Sequence, residues 1–290
     1  MSKSIDFLSI IIITVFKFLG MFPLGVLQKL GVFFGSLAWL FPIRYKKKLK
    51  LNIEQAFPKH SAGFQRSVLQ QIFQMYFELP FVWSKKNEYF LHQLNKQFDW
   101  SPIENSLVGH KGVIFISAHV GAYELLLPLF ALKFNGTVMY QPAKSNWLNN
   151  LMLNSRVCQN LKMVPANRNG AKELVRDLRN GRAIGMLVDH LPPKGSGVYA
   201  PFFKKPAYTM TLVQRLQRLT GSPIYLVGIE RLQSGERYRL HIIPMEEHFN
   251  ADPIEFATKL NQIIEQLICL MPTQYLWGYN RYKIPTKDLT

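Results

Sequence analysis

The sequence predicts an α/β protein, a mixed central sheet flanked by helices, with an N-terminal hydrophobic membrane helix in front of it. Three observations predict this class. From residue 112 onward short β-rich runs alternate with helical patterns, which is how a chain lays a sheet between layers of helix. The first 43 residues are overwhelmingly apolar, and a dense basic cluster, Arg44, Lys46, Lys47, Lys48 and Lys50, follows them directly.

The elements follow in chain order. From Phe7 to Leu27 only Ser9, Thr14 and Lys17 interrupt the apolar run, and residues 30–43 are uncharged and rich in Phe, Leu and Gly. A spanning helix needs about 20 such residues, and the alternative is a helix lying in the membrane interface. The basic cluster suits anionic headgroups on the inner side of a membrane, or else a solvated helix face. Residues 1–50 are therefore set apart as a membrane-associated segment with its basic cluster, and residues 51–290 as the remaining domain.

Ser61 is placed to cap a helix in which Phe64, Val68, Leu69, Ile72, Phe73 and Tyr76 recur at helical spacing until Pro80 interrupts it. Strands are expected at Val113–Ser117, 137–140, 183–188, 224–229 and 237–243. Helices are expected at 147–159, 171–180 and 209–219, and at Pro253–Leu270, where Asp252 caps, Pro253 fits the first position and Glu255 stands three residues after the cap.

The composition narrows the function classes. At 290 residues and 48% hydrophobic content the chain can bury a substantial core. Its net charge of +17 favours an acidic partner: nucleic acid, anionic lipid or an acidic protein. No nucleic-acid motif accompanies the charge, which sits beside a membrane-like segment, so nucleic acid ranks last. Cys158 and Cys269 lie far apart in apolar patterns and read as reduced packing residues. No HExxH, P-loop or GxGxxG is present, and neither a metal nor a cofactor is expected.

The most informative stretch runs from Val113 through His119 to Glu124: a buried strand, a turn and a helix start. On one continuous helix His119 and Glu124 would point about 140° apart, but a turn at Val120 and Gly121 removes that obstacle. His119 then stands at the carboxyl end of a strand, where ligand sites of α/β sheets gather, and Glu124 in the first helical turn can orient its imidazole. A histidine so held can take the proton of an alcohol attacking a thioester. The competing reading is a turn histidine beside a glutamate that suits the helix dipole. Asp189, with His190, ends the 183–188 strand, as a site residue or an Asx turn before Pro192 and Pro193. Arg156 is an anion-binding residue or a surface cation.

Four segments, in order, raise this pattern above the generic. They are Asn52 to Pro58; His119 to Glu124; Leu187 to His190 with Gly197 to Phe203 and Pro206 to Thr209; and Pro272 to Trp277 with Arg281, Tyr282 and Lys283. With them the chain resembles the bacterial lipid A biosynthesis acyltransferases, the late or secondary lauroyl and myristoyl transferases, over nearly its whole length. The resemblance implies an enzyme of the cell inner membrane whose acyltransferase domain faces the cytoplasm. It would take an acyl chain from acyl carrier protein and place it on a hydroxyl of a lipid A precursor. His119 and Glu124 match the family's catalytic pair, and Arg156 and Asp189 its further functional arginine and aspartate. The chain departs from many members at Ala122 and Tyr123, where Asn-Trp is common, at Gln141, where arginine is common, and at Tyr279 and Asn280, where histidine and a basic residue are common. The alternative is a transferase of the same superfamily acting on another lipid acceptor: a lysophospholipid, an amino-acid lipid or a glycolipid.

Overall fold

The structure, a computed structural model, describes residues 7–41, 44–84, 87–108, 112–143, 145–155, 160–232, 238–245 and 252–285. The chain opens with two apolar helices, α1 (Phe7–Leu19) and α2 (Leu24–Leu40), separated by a break that ends at Pro23. The expected single membrane helix over 7–27 is thus divided in two. At 13 and 17 residues they are about 20 and 26 Å long, against an apolar bilayer core of about 30 Å. Among the described residues no single helix is long and apolar enough to cross a membrane.

The α2 helix buries Leu24, Leu27, Gly31 and Gly35, one narrow face, against α4 (Ala62–Val82). The approach is backbone to backbone: a Cβ on Gly31 would lie 2.5 Å from Gln74 Cα. Elsewhere both helices present apolar side chains outward, among them Ile10, Val15 and Phe18 on α1 and Phe33, Phe34 and Leu40 on α2. The basic cluster begins α3 (Arg44–Ala56). Its Lys46 turns back to bond Trp39 O and Phe41 O at the end of α2, while Leu49 and Ile53 enter the core.

Ser61 caps α4 as expected, accepting from Phe64 N at 3.1 Å. Pro80 does not end that helix, which runs on to Val82; so near the terminus a missing N–H costs one bond of the ladder and little else. Two helices not foreseen, α5 (Glu88–Gln97) and α6 (Ser101–Leu107), lead to the sheet.

Among the described residues eight strands form it and a separate hairpin: β1 (Val113–Ser117), β2 (Gly136–Tyr140), β3 (Leu161–Pro165), β4 (Ala183–Leu187), β5 (Gly197–Phe202), β6 (Lys205–Met210), β7 (Ile224–Arg231) and β8 (Tyr238–Met245). The main sheet has the order β3-β2-β4-β1-β7-β8, parallel except for β8. The central β1 is buried along its whole length, as its unbroken Val-Ile-Phe-Ile run requires of a strand covered on both faces. The helices α7 (Leu126–Lys133), α8 (Asn146–Ser155), α9 (Arg168–Arg179), α10 (Leu212–Thr220) and α11 (Pro253–Leu270) complete the fold.

Three expectations shift. The helix placed at 209–219 begins at Leu212, because Thr209 and Met210 finish β6, where the Thr209 hydroxyl meets buried Asn261 and Arg281. The short β3 and the β5–β6 hairpin carry too little alternation to announce themselves. Cys269, read as a packing residue, is a free thiol exposed to solvent on α11; Cys158 lies outside the described residues.

Candidate active site

The parallel strands β1 and β4 are neighbours in register, Ser117 opposite Leu187. Both chains therefore leave the sheet at the same carboxyl end, and the two residues that follow on each bring His119 and Asp189 together. His119 Nδ1 lies 2.8 Å from Asp189 Oδ1, and the backbone N–H of His119 donates to Asp189 Oδ2 at 3.0 Å. The carboxylate is 1% exposed and the imidazole 12%. Burial by itself would push the Asp189 carboxyl up, but the His119 ring and the hydrogen bonds it accepts hold it well below the usual carboxylate range. An ionised Asp189 can only accept, so it keeps the proton on Nδ1 and leaves Nε2 as the basic nitrogen.

The turn after His119 is built as its sequence suggested. Gly121 takes a φ of +65°, a left-handed conformation that costs other residues, and a Cβ there would sit 2.0 Å from Ile229 O. Its N–H donates to Gln274 O at 3.0 Å, and Ala122 N to Ile229 O at 2.7 Å. The C-terminal tail runs beside this turn: Val120 pairs with Tyr275 as an antiparallel bridge, and Leu276 N donates to His119 O at 2.9 Å.

Glu124 stands in a single 3-10 turn, Tyr123–Leu125, ahead of α7. Its Oε2 accepts from Trp83 Nε1 at 3.0 Å. The sequence assigned Glu124 to orient the imidazole; the structure gives the Nδ1 contact to Asp189. That pairing joins residues 70 positions apart, a distance the local spacing of 119 and 124 does not disclose. Arg156 lies outside the described residues.

Aromatic rings enclose the imidazole. Tyr123 and His190 meet His119 edge to face, with centroids 4.8 and 4.5 Å away, and Tyr279 lies nearly parallel at 6.4 Å. Burial first, then the neighbouring His119 charge, pushes the His190 imidazole down to about 4, so it stays neutral at ordinary pH. The buried Tyr275 hydroxyl, in no hydrogen bond of normal geometry, is pushed well up by burial and by the nearby Asp189 carboxylate.

Sequence reasoning named Asn52, Tyr279 and Arg281 only in connection with the family resemblance and gave them no part in holding this enclosure together. Asn52 of α3 donates to Trp277 O and Tyr279 O at 2.7 and 2.9 Å, and Tyr279 Oη accepts from Leu191 N at 2.8 Å. Arg281, 2% exposed, ties the tail to Tyr208 O, the Thr209 hydroxyl and Asn261. The signal was present as four separated motif segments; all four meet here. Among the described residues no group of three His, Cys, Asp or Glu side chains is disposed to hold a metal ion. A basic depression of about 500 Å³ beside α9, lined by Lys172, Arg176 and Arg179, is separate from this site.

The arrangement can accept a proton at Nε2 and stabilise the resulting imidazolium through Asp189. Comparison with known proteins points to the reaction class. The chain is 27% identical to the lipid A biosynthesis palmitoleoyltransferase of Escherichia coli (strain K12) over 269 residues, covering 90% of this chain and 86% of the relative. Over the same length and coverage it is 24% identical to the lipid A biosynthesis lauroyltransferase of that strain. It is 24% identical over 284 residues to a lipid A biosynthesis acyltransferase of Haemophilus influenzae, covering 92% of this chain and 88% of the relative. The description of the bacterial lipid A biosynthesis acyltransferases matches residues 1–284, and the chain belongs to that family.

Proposed function

We propose that the protein moves a fatty acyl group from the thioester of acyl carrier protein to a hydroxyl of a lipid A precursor, with His119 as general base and Glu124 as its catalytic partner. The observation that carries the reading is the His119–Asp189 pair, which presents a basic Nε2 at the carboxyl end of the central strands. In the proposed step the acceptor hydroxyl gives its proton to Nε2 as its oxygen attacks the thioester carbonyl. The tetrahedral adduct then expels the carrier thiolate, which leaves with that proton, so an ester and a thiol result and His119 is neutral again. Asp189 and Glu124 supply the negative charge that the imidazolium needs during the interval. Arg156 is assigned to an anionic headgroup or to the developing oxyanion.

Residues 1–50 are proposed to seat the protein at the cell inner membrane, with residues 51–290 on the cytoplasmic side as the transfer domain. Support comes from the outward apolar side chains of α1 and α2 beside the lysines that open α3, a pattern suited to the interface of an anionic bilayer. An acidic carrier protein and anionic lipid both suit the net charge of +17. A second acceptor class, another lipid hydroxyl, is favoured by one observation. Tyr123 and Tyr279, two of the chain's departures from its family, both face His119.

The test is acyl transfer by the full-length protein in detergent, with an acyl carrier protein thioester as donor and a panel of lipid A precursors and other lipid hydroxyls as acceptors. Ester formation on a lipid A precursor that His119→Ala abolishes is the expected outcome. Transfer to another lipid alone replaces the acceptor, and a His119→Ala protein at the wild-type rate removes the mechanism.

A further inference from the structure

Trp83 follows the last residue of α4 and is tied to that helix by its backbone N–H, which donates to Leu79 O at 2.9 Å. From there its half-buried indole touches two places at once. Its Nε1–H donates to Glu124 Oε2 at 3.0 Å, and its ring packs against Phe16 of α1, centroids 5.4 Å apart. An indole N–H can only donate, and a bond from it to an ionised carboxylate is of the stronger, charge-assisted kind. Glu124 itself stands in the 3-10 turn that leads directly into α7. The α1 helix that supports the other side of the indole leaves Ile10, Val15 and Phe18 exposed. We propose that Trp83 is a positioning residue for Glu124 and that it links the carboxylate to the seating of α1, so that transfer is fastest when α1 is held in place.

This rests on the reading of His119 and Glu124 as the catalytic pair. Trp83→Phe keeps the ring against Phe16 and removes the donor; Phe16→Ala keeps the donor and removes its support. Full-length variants are assayed in detergent with an acyl carrier protein thioester and a lipid A precursor. Losing one charge-assisted bond should lower kcat about ten-fold in Trp83→Phe with KM for the donor unchanged. Phe16→Ala should lower kcat by roughly three-fold, and by nothing further once Trp83→Phe is present. In a Glu124→Ala background, followed by single-turnover measurement, neither change should alter the residual rate. Wild-type kcat in Trp83→Phe, alongside inactive His119→Ala and Glu124→Ala proteins, overturns the proposal and leaves the catalytic reading standing. An equal loss with and without the Glu124 side chain also overturns it, since Trp83 would then serve only the fold. Full activity in His119→Ala and Glu124→Ala removes the catalytic reading and the proposal with it.

Discussion

Two buried carboxylates of this protein each face a nitrogen base, and they are built for opposite purposes. Glu78 bonds Arg231 Nε at 2.7 Å with both side chains 3% exposed, and it also accepts from Gln28 Nε2 and Tyr238 Oη at 2.8 and 3.1 Å. Four elements, α2, α4, β7 and β8, are thus tied at one buried carboxylate–guanidinium pair. Asp189 faces a histidine instead, at 2.8 Å and with the ring 12% exposed, and its partner carries charge only when it takes up a proton. A fixed pair in a dry site holds geometry. A titratable pair at the mouth of the sheet holds a place for a charge that comes and goes, which is what the proposed transfer asks of His119.

The comparison is most exposed at Asp189. Replacing it with Asn keeps the shape but removes the counter-charge and the constraint on the tautomer, so transfer should fall by about 10²- to 10⁴-fold. Urea unfolding should move by about 1–3 kcal/mol, as the hydrogen bonds to the buried side chain weaken. A large stability loss with activity retained would make Asp189 another Glu78. The converse variant, Glu78→Ala, leaves Arg231 buried without its partner and should cost about 3–5 kcal/mol of folding free energy, read as a fall in the urea midpoint. Whatever protein remains folded should transfer acyl groups at close to the wild-type kcat.

A smaller effect concerns His190, which shares the titratable region with His119, Asp189 and Arg281. In the unfolded chain this imidazole takes up a proton near its ordinary value of 6.5, and in the folded protein only near 4. The unfolded state therefore binds the extra proton throughout that window, and stability falls as pH drops across it, by about 3 kcal/mol in all. In His190→Asn the dependence of unfolding free energy on pH between 6.5 and 4 should flatten. An unchanged slope would show that another group carries it.

Much of the architecture was legible because it is written in local patterns. The Val113–Ser117 strand and the Pro253–Leu270 helix, with its Asp252 cap accepting from Ile254 N at 2.9 Å, stand where the residues place them. The glycine turn after His119 was likewise readable, since only a residue tolerant of φ near +65° lets strand and helix start meet there. The division of the apolar N-terminus was less so. Hydropathy sees residues 7–27 as one run, whereas the break before Pro23 and the seating of α2 on α4 divide it into helices each shorter than a bilayer core.

The sequence by itself nominated the candidates: His119 and Asp189 as polar residues at the ends of expected strands, Glu124 by its place in the turn after His119, and, with Arg156, all of them by the family resemblance. Only the tertiary structure decided which of them touch. The Nδ1 partner of His119 is Asp189 because β1 and β4 lie side by side and release their chains at the same edge. Trp83 reaches Glu124, and Asn52 reaches the tail, across 41 and 227 positions. Such contacts are fixed by strand order and helix packing, properties of the assembled core that no periodicity within one segment records.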